Sequence, residues 1–446
     1  MSNTNDLERR FDAARDVLMG ELSSGEELSI EFSGEQSTFM RFNGCKVRQI
    51  GEVDVAYVEF RLYKEGKSIA AGFNATGDAG EDSARAARAL SRAREECALL
   101  PDDPYRSAPA STSTSSEVFA GRLPAQEGLP KEVLGPAAGT DFTGIHSQGP
   151  IVRGAANSAG ARHWFATEGF ITDWSVWLPN GKAVKSCYAG REWDPAEHAR
   201  RLEAAKARLE PLARPEVKLK PGDYRAYITP DALYETIAFF SWNGLGERDI
   251  REGESAYIAL KEGRKAFSPL FNLTQDFSLG IEPRFNEAGD VAPEKLTLIE
   301  GGKLASTIVS NRSAKQYGVP TNSAPESEDL RSPAFGPGKL AEKDALKALG
   351  TGVYVSNFHY LNWSDVETAR VTGMTRFSCF WVEGGKLVAP ISNMRFDESL
   401  YDLYGAKLED LTTERSLIPE TGSYVLRNLG GALLPGILVK GLKFTL

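Results

Sequence analysis

Apolar and polar positions repeat with two different periods in the first hundred residues. Residues 6–22 carry apolar side chains every three or four positions, which predicts an amphipathic helix. Residues 81–99, rich in Ala and Arg, predict a second helix. Between the two, a period of two predicts strands at residues 28–32, 53–63 and 68–73. Helix, strand meander and helix together predict an α+β layer.

The pattern changes after residue 100. Residues 101–130 include a Ser/Thr/Pro-rich run and predict a mobile or surface crossing. Strand patterns return between residues 140 and 193, with a hairpin turn predicted at Pro179-Asn-Gly-Lys182. Asp194-Pro then opens a third helix that is expected to end near Leu212. Three prolines follow and predict a linker, with the main domain boundary near residues 213–222.

Short apolar segments separated by Gly and Pro turns fill the rest of the chain. Only residues 230–242 and 340–348 predict helices there. We therefore expect an α+β protein in two parts. An N-terminal α/β domain, residues 1–215, has an antiparallel sheet with flanking helices. A β-rich C-terminal domain covers residues 222–446.

Composition excludes several classes of function. The chain has 446 residues, 41% of them hydrophobic and 25% charged, which is typical of a soluble globular protein. A net charge of −9 argues against nucleic acid as a partner. No apolar run approaches the ~20 residues that span a bilayer. Since the N-terminus lacks a signal-peptide pattern, we expect a cytoplasmic protein with four free cysteines.

Motifs for hydrolytic chemistry are missing from the sequence. A zinc peptidase signature places two histidines and a glutamate on one helix, as H-E-x-x-H or H-E-x-x-x-H. The chain has four histidines, none followed by Glu: His146, His163, His198 and His359. G-x-S-x-G is also absent. Ordinary hydrogen-bonded histidines are the simplest prediction.

Aromatic residues are dense between residues 354 and 390. Their alternation fits strands with one buried face, and they belong either to a β-core or to a substrate cleft. Arg370 and Arg376 flank the segment Thr372-Gly-Met-Thr375. These arginines suit a carboxylate or a peptide backbone, and a structural salt bridge is the competing interpretation.

Several segments resemble the TldD/PmbA (TldE) metallopeptidase family in order and spacing. They are Gly144-Ile-His-Ser-Gln-Gly-Pro-Ile-Val-Arg, Asp173-Trp-Ser-Val-Trp-Leu, Thr372-Gly-Met-Thr-Arg, the stretch from Trp381 to Pro390, and Asn393-Met-Arg-Phe-Asp-Glu-Ser. The resemblance extends over nearly the whole chain. It implies an N-terminal α/β domain and a larger β-rich C-terminal domain.

The resemblance also locates the family's metal motif. In TldD-type subunits H-E-x-x-x-H follows a Ser/Thr-Pro-Glu/Asp-Ala segment, whose equivalent here is Thr229-Pro-Asp-Ala. The motif positions then fall at Ala238-Phe-Phe-Ser-Trp-Asn243, without histidine. The resemblance therefore implies a TldE/PmbA-like subunit without zinc, whose partner subunit binds the metal. The apolar helix at 232–242 packs either in the core or against a partner.

Two functions follow from this resemblance. The first is the non-catalytic subunit of a TldD/TldE heterodimer that cleaves leader peptides or unfolded peptides, shaping its substrate cavity. The alternative is a stand-alone homodimeric peptide-binding protein without hydrolytic activity. Metal-free chemistry by arginines and hydroxyls is a third possibility, with no visible nucleophile–base pair. The expected contacts to substrate or partner are Arg153, Tyr360, Asn362, Arg370, Thr375 and Arg376.

Overall fold

The chain folds around two β-sheets, one in each half of the sequence. The computed structural model describes residues 4–423 and 426–445. The first sheet and its helices come from residues before 213, and the second sheet starts at Gly222. The fold is thus α+β, with an N-terminal antiparallel sheet flanked by helices and a β-rich C-terminal part. The exact division into residues 1–215 and 222–446 stays a prediction.

The first sheet has seven strands: β1 (Glu26–Asn43), β2 (Lys46–Lys64), β3 (Lys67–Asn74), β4 (Thr114–Phe119), β5 (Asp141–Asn157), β6 (Arg162–Trp177) and β7 (Ala183–Gly190). Their order is β3-β2-β1-β5-β6-β4, and β7 also pairs with β6. All pairs are antiparallel except β4 with β6. The predicted hairpin at residues 179–182 joins β6 to β7 and is confirmed.

Helices α1 (Thr4–Gly20) and α2 (Ala79–Ala98) cover one face of this sheet, as the apolar spacing predicted. Leu7, Phe11 and Leu18 of α1 are buried against the sheet. The ring of Phe11 stacks on Trp164 of β6 with centroids 5.8 Å apart. Each large apolar side chain buried in this way stabilises the fold by about 1.5–3 kcal/mol.

Helices α3 (Leu129–Leu134) and α4 (Pro195–Leu212) complete the N-terminal part. The Asp194 side chain caps α4 by accepting a hydrogen bond from the Ala196 amide at 2.9 Å. The crossing at residues 101–130 differs from its prediction, because residues 114–119 form the strand β4 beside β6. Thr, Val and Phe in that stretch favour extended backbone.

The second sheet has thirteen strands: β8 (Gly222–Ile228), β9 (Leu273–Asp276), β10 (Lys295–Glu300), β11 (Lys303–Leu304), β12 (Pro333–Phe335), β13 (Gly352–Val355), β14 (Asn357–Asp365), β15 (Arg370–Arg376), β16 (Phe380–Glu383), β17 (Lys386–Pro390), β18 (Arg395–Ser399), β19 (Leu408–Pro419) and β20 (Gly431–Phe444). Strand β20 is central and pairs with β8, β12, β18 and β19. Its near-continuous apolar sequence fits a strand buried on both faces.

Five α-helices accompany this sheet in the described residues: α5 (Pro230–Ile237), α6 (Glu247–Glu252), α7 (Ile258–Lys261), α8 (Asn311–Tyr317) and α9 (Ala345–Leu349). The sequence predicted only two helices here, so α6, α7 and α8 were missed. They have four to seven residues, too few to show a helical period. Each of the two predicted helices consists of an α-helix that is shorter than predicted and a 3₁₀ turn. The turn Ala238–Phe240 follows α5, and the turn Glu342–Asp344 precedes α9.

A buried ion pair joins the two halves. The Arg427 Nε atom lies 2.9 Å from Glu35 Oε1, and the two side chains are 6% and 2% exposed. Arg427 also donates to Ser37 Oγ at 2.7 Å and to the Gly149 carbonyl at 2.8 Å. The segment around residue 427 is therefore fixed to the first sheet. None of the helices in the described residues combines the length and apolar character that crossing a bilayer requires.

Candidate functional site

The segment that the resemblance aligns with the family's metal motif begins at the end of β8. Thr229 caps α5: its Oγ1 accepts a hydrogen bond from the Ala232 amide at 3.3 Å and donates to the Ser356 carbonyl at 2.8 Å. Pro230 occupies the first helical position, where its missing amide hydrogen costs nothing. The helix ends at Ile237, and Ala238–Phe240 continue as one 3₁₀ turn.

Two of the six motif positions are occupied by buried phenylalanines. Phe239 and Phe240 are 2% and 0% exposed. The Phe240 ring lies within 6.4 Å, between centroids, of five other rings: Tyr257, Phe267, Phe271, Phe335 and Tyr404. Trp242, in contrast, is 50% exposed. Of the two interpretations of this helix, core packing therefore holds for the phenylalanines, while Trp242 is free to contact a partner.

These residues do not fit a zinc ion. Zinc in proteins takes nitrogen, sulfur or oxygen ligands, usually three or four of them. Ala238 and Phe239 have no such atoms, and the Ser241 hydroxyl already accepts a hydrogen bond from the Leu330 amide at 2.9 Å. In the described residues, no group of three or more His, Cys, Asp or Glu side chains is placed to hold a metal ion.

Three of the four histidines are buried and hydrogen-bonded. His146 Nδ1 lies 2.7 Å from Thr172 Oγ1, His163 Nδ1 lies 2.8 Å from Ser115 Oγ, and His198 Nε2 lies 2.9 Å from the Val133 carbonyl oxygen. Burial lowers the pKa of His146 to about 4 and also lowers the pKa of the other two. All three therefore act as neutral structural side chains near pH 7.

An open groove of about 430 Å³ runs beside α5 and the 3₁₀ turn. We name it the acidic groove, because three glutamates and one arginine line it. Its walls are Tyr234, Glu235, Ile237, Ala238, Ser241, Glu282, Leu330, Arg331, Pro333, Glu420, Thr421, Leu429, Gly430 and Gly431. Ala238, at the first motif position, is exposed here. The groove thus lies beside the segment that the resemblance aligns with the family's metal motif.

Burial shifts the acidities inside the acidic groove. It raises the pKa of Glu282 to about 7, against the opposing charges of Arg153 and Arg331. Partial desolvation by the groove walls also raises the pKa of Glu235, whose side chain still reaches solvent. The Tyr234 hydroxyl donates to Glu420 Oε2 at 3.0 Å, and burial together with that carboxylate raises its pKa. Glu282 consequently changes charge near neutral pH, a property often found at functional sites.

Arg153, one of the six predicted contact residues, lies across from this groove on β5. Its Nη1 donates to the Val152 carbonyl at 2.9 Å. Burial lowers its pKa, and the carboxylates of Glu282, Glu31 and Glu35 partly oppose that effect. The first sheet therefore contributes a half-buried positive charge that interacts with Glu282.

Tyr360 and Asn362 lie on β14, which among the described strands pairs only with β15. Tyr360 is 81% exposed and has a φ of +58°, at an irregularity in the pairing between His359 and Asn362. Trp363 on the same strand donates its indole Nε1–H to the Trp242 carbonyl at 3.1 Å. The edge strand is thus attached to the motif segment and presents exposed aromatic and amide side chains.

The three remaining predicted residues lie on β15 in different environments. Arg370 forms an ion pair with Asp397 at 3.1 Å, the structural salt bridge that competed with ligand binding. Thr375 is 1% exposed, and its Oγ1 accepts from the Met394 amide at 2.9 Å. Arg376 is exposed, with its guanidinium 5.4 Å from the Phe377 ring centre. A contact role for any of the six stays a prediction, and exposure favours Tyr360, Asn362 and Arg376.

The acidic groove itself was not predicted. Glu235 was visible in the sequence three residues before the motif positions, on the helix predicted there. Glu282 and Glu420 come from loops distant in sequence, and no local pattern distinguishes them from surface glutamates. Only the folded arrangement brings these three carboxylates to one groove.

Comparison with known proteins identifies the C-terminal half. Residues 221–446 match the family described as PmbA/TldA metallopeptidase C-terminal domain. These 226 residues are just over half of the chain. No curated protein sequence matches the chain.

Solved structures share the whole fold at low sequence identity. TldE from Thermococcus kodakarensis has 14% identity and a TM-score of 0.73, covering 99% of this chain and 100% of that chain. A proposed modulator of a DNA gyrase from Thermotoga maritima has 15% identity and a TM-score of 0.75, covering 98% and 100%. A proposed modulator of DNA gyrase from Bacteroides thetaiotaomicron has 15% identity and a TM-score of 0.75, covering 98% of each chain.

Proposed function

Because the chain belongs to the TldD/PmbA metallopeptidase family, we propose that it is the TldE-like, non-catalytic subunit of a two-chain zinc metallopeptidase. A TldD-type partner supplies the zinc ion and the H-E-x-x-x-H helix. This chain supplies part of the cavity in which the peptide substrate lies.

The composition of residues 238–243 carries this proposal. A catalytic zinc helix must direct two imidazoles and a carboxylate toward one point. Here the second motif position is the buried Phe239, followed by Phe240 at the centre of an aromatic cluster. A segment packed in this way stabilises the domain and has no side chains with which to activate water.

Two neighbouring features support a role in holding peptide. The acidic groove offers three carboxylates to basic side chains or to an amino terminus. Strand β14 has no second strand partner among the described residues, so an extended peptide can add to it through backbone hydrogen bonds. Tyr360 and Asn362 would then contact alternate side chains of that peptide.

Exposed apolar side chains near the motif segment support a protein partner. Trp242 is 50% exposed, and the partly buried Trp363 lies beside it, with ring centroids 6.5 Å apart. Exposed tryptophans of this kind are frequent hot spots of protein interfaces. We therefore assign Trp242 to the contact with the TldD-type subunit.

Co-purification tests this proposal. We expect an affinity-tagged form of this chain to retain a co-expressed H-E-x-x-x-H subunit, with zinc in that subunit and none bound stoichiometrically to the isolated chain. Trp242→Ala should weaken the complex about tenfold or more, as hot-spot residues do. Leu99→Ala, which removes an exposed leucine elsewhere, is the matched control and should leave the affinity unchanged.

A different outcome would favour the alternative function. If the chain forms a stable homodimer in light scattering and ignores every TldD-type subunit, it is a stand-alone peptide-binding protein. Stoichiometric zinc with chelator-sensitive cleavage by the isolated chain would contradict both versions.

A further inference from the structure

A second cavity lies between the two halves at the opposite end of α5. It has a volume of about 340 Å³, within the range of small-molecule sites. We name it the basic pocket, since five cationic side chains and only two carboxylates line it: Lys185, Arg200, Arg201, Arg208 and Lys343 against Asp231 and Glu342. This excess of positive charge stands out in a chain of net charge −9.

Nearby carboxylates neutralise some of these cations. Lys185 pairs with Asp173 at 2.6 Å. Arg200 and Arg201 both pair with Glu197, each at 2.7 Å, so one carboxylate serves two guanidinium groups. These three cations therefore keep one uncompensated positive charge at the rim of the basic pocket.

Arg208 is the most distinctive residue of the basic pocket. It is half-buried on α4, and it makes neither an ion pair nor a hydrogen bond with any residue between 4 and 423 or 426 and 445. Its guanidinium carbon lies 5.8 Å from the centre of the Tyr354 ring. A guanidinium with five unused donors, partly removed from water, favours an anionic ligand.

The second half of the chain provides the opposite wall. Lys343 is exposed on the 3₁₀ turn before α9 and forms no ion pair within the described residues. Asp231 is half-buried, and its Oδ1 accepts a hydrogen bond from the Cys187 thiol at 3.8 Å. Burial raises the pKa of Asp231, and the positive charges of Arg208 and Arg201 oppose this shift.

We propose that the basic pocket binds a small organic polyanion that carries carboxylate or phosphate groups. Arg208 from the first half and Lys343 from the second would contact opposite ends of the ligand. The cavity volume limits the ligand to a metabolite-sized molecule and excludes a folded partner. Since the pocket wall includes Thr229, Pro230 and Asp231, the ligand would touch the start of the helix whose other end lines the acidic groove.

Calorimetric titration of the full-length protein tests the proposal, with citrate and pyrophosphate as probes at low ionic strength. We expect at least one probe to bind and to raise the thermal unfolding midpoint. Citrate binding alone identifies a carboxylate site, and pyrophosphate binding alone a phosphate site. Arg208→Gln should weaken binding about tenfold or more, because it removes a charged hydrogen-bonding group.

Two further variants keep the test decisive. Lys343→Gln changes an exposed side chain that supports no buried contact, and it should weaken binding about two- to fivefold even if R208Q fails to fold. Arg92→Gln removes one positive charge from the exposed face of α2 and should bind like the unaltered protein. The proposal is overturned if neither probe binds, or if folded R208Q and K343Q both bind as tightly as R92Q.

Discussion

The acidic groove and the basic pocket lie at opposite ends of one helix and differ in the sign of their charge. The groove beside the end of α5 has three glutamates and Arg331, while the pocket at its start has five cations and two carboxylates. Both are formed by residues from loops and helices far apart in sequence. The contrast shows that one short helix, α5, separates two polar cavities that suit different ligands.

The two cavities also differ in how they join the halves of the molecule. The basic pocket is itself a junction, with α4 on one side and residues 342–346 and 354–356 on the other. The acidic groove borders the segment that Arg427 fixes to the first sheet. Its shape therefore depends on one buried ion pair.

The largest effect is expected when that pair is broken. Arg427→Ala leaves the Glu35 carboxylate buried without its partner, which should lower the free energy of unfolding by about 3–5 kcal/mol. Arg122→Ala, which breaks the exposed Arg122–Glu192 pair, is the control and should cost less than about 1 kcal/mol. Urea denaturation measures both. If both variants lose equally little free energy of unfolding, the acidic groove does not depend on the Arg427–Glu35 ion pair.

The second prediction uses the acidity of Glu282. Its pKa rises from 4.5 to about 7 in the folded protein, so the folded state holds the proton more tightly than the unfolded state. Its contribution to stability is therefore greatest below pH 4.5 and declines as pH rises to 7, by about 3 kcal/mol. Glu282→Gln should remove this decline from the pH dependence of unfolding.

The control for that experiment is a glutamate outside both cavities. Glu367 is exposed on the turn between β14 and β15, and Glu367→Gln should leave the pH dependence unchanged. The measured quantity is the change of the free energy of unfolding between pH 4.5 and 7. If this change is the same in E282Q and E367Q, burial does not raise the pKa of Glu282.

The smallest predicted effect distinguishes the ligands of the two cavities. Glu235→Gln should weaken the binding of a Lys-rich peptide about two- to fivefold, because Glu235 is exposed and its attraction is screened. Lys343→Gln should leave that peptide affinity unchanged. Fluorescence polarisation with labelled Lys-rich and Glu-rich peptides measures both. A loss of peptide binding in K343Q alone would reverse the assignment of the two cavities.

Local patterns predicted much of the N-terminal part. The spacing of Leu7, Phe11 and Leu18 located α1, and Asn180-Gly181 located a hairpin, because helix faces and tight turns depend on neighbouring residues. The position of residues 238–243 after Thr229-Pro-Asp-Ala, and their lack of histidine, were also visible in the sequence. The short helices and two- to four-residue strands in the C-terminal part were not predicted, since each contains at most two periods of its pattern.

The charged cavities were beyond prediction for a different reason. Glu35 and Arg427 are 392 positions apart, and Arg208 meets Tyr354 only after both halves have folded. An unpaired arginine, or a glutamate with a raised pKa, is defined by burial and by neighbours, neither of which a single sequence displays. Tyr360 belonged to the aromatic alternation that predicted a buried strand face together with Phe358; this was wrong for Tyr360, which is 81% exposed at a break in the strand pairing.

Peptide hydrolysis by the separated and recombined subunits tests the central claim most directly. A fluorogenic unfolded peptide is incubated with this chain alone, with the TldD-type subunit alone, and with both, each with and without a zinc chelator. We predict no turnover by this chain, and chelator-sensitive turnover by the pair that exceeds that of the partner alone. Chelator-sensitive cleavage by this chain alone would contradict the account.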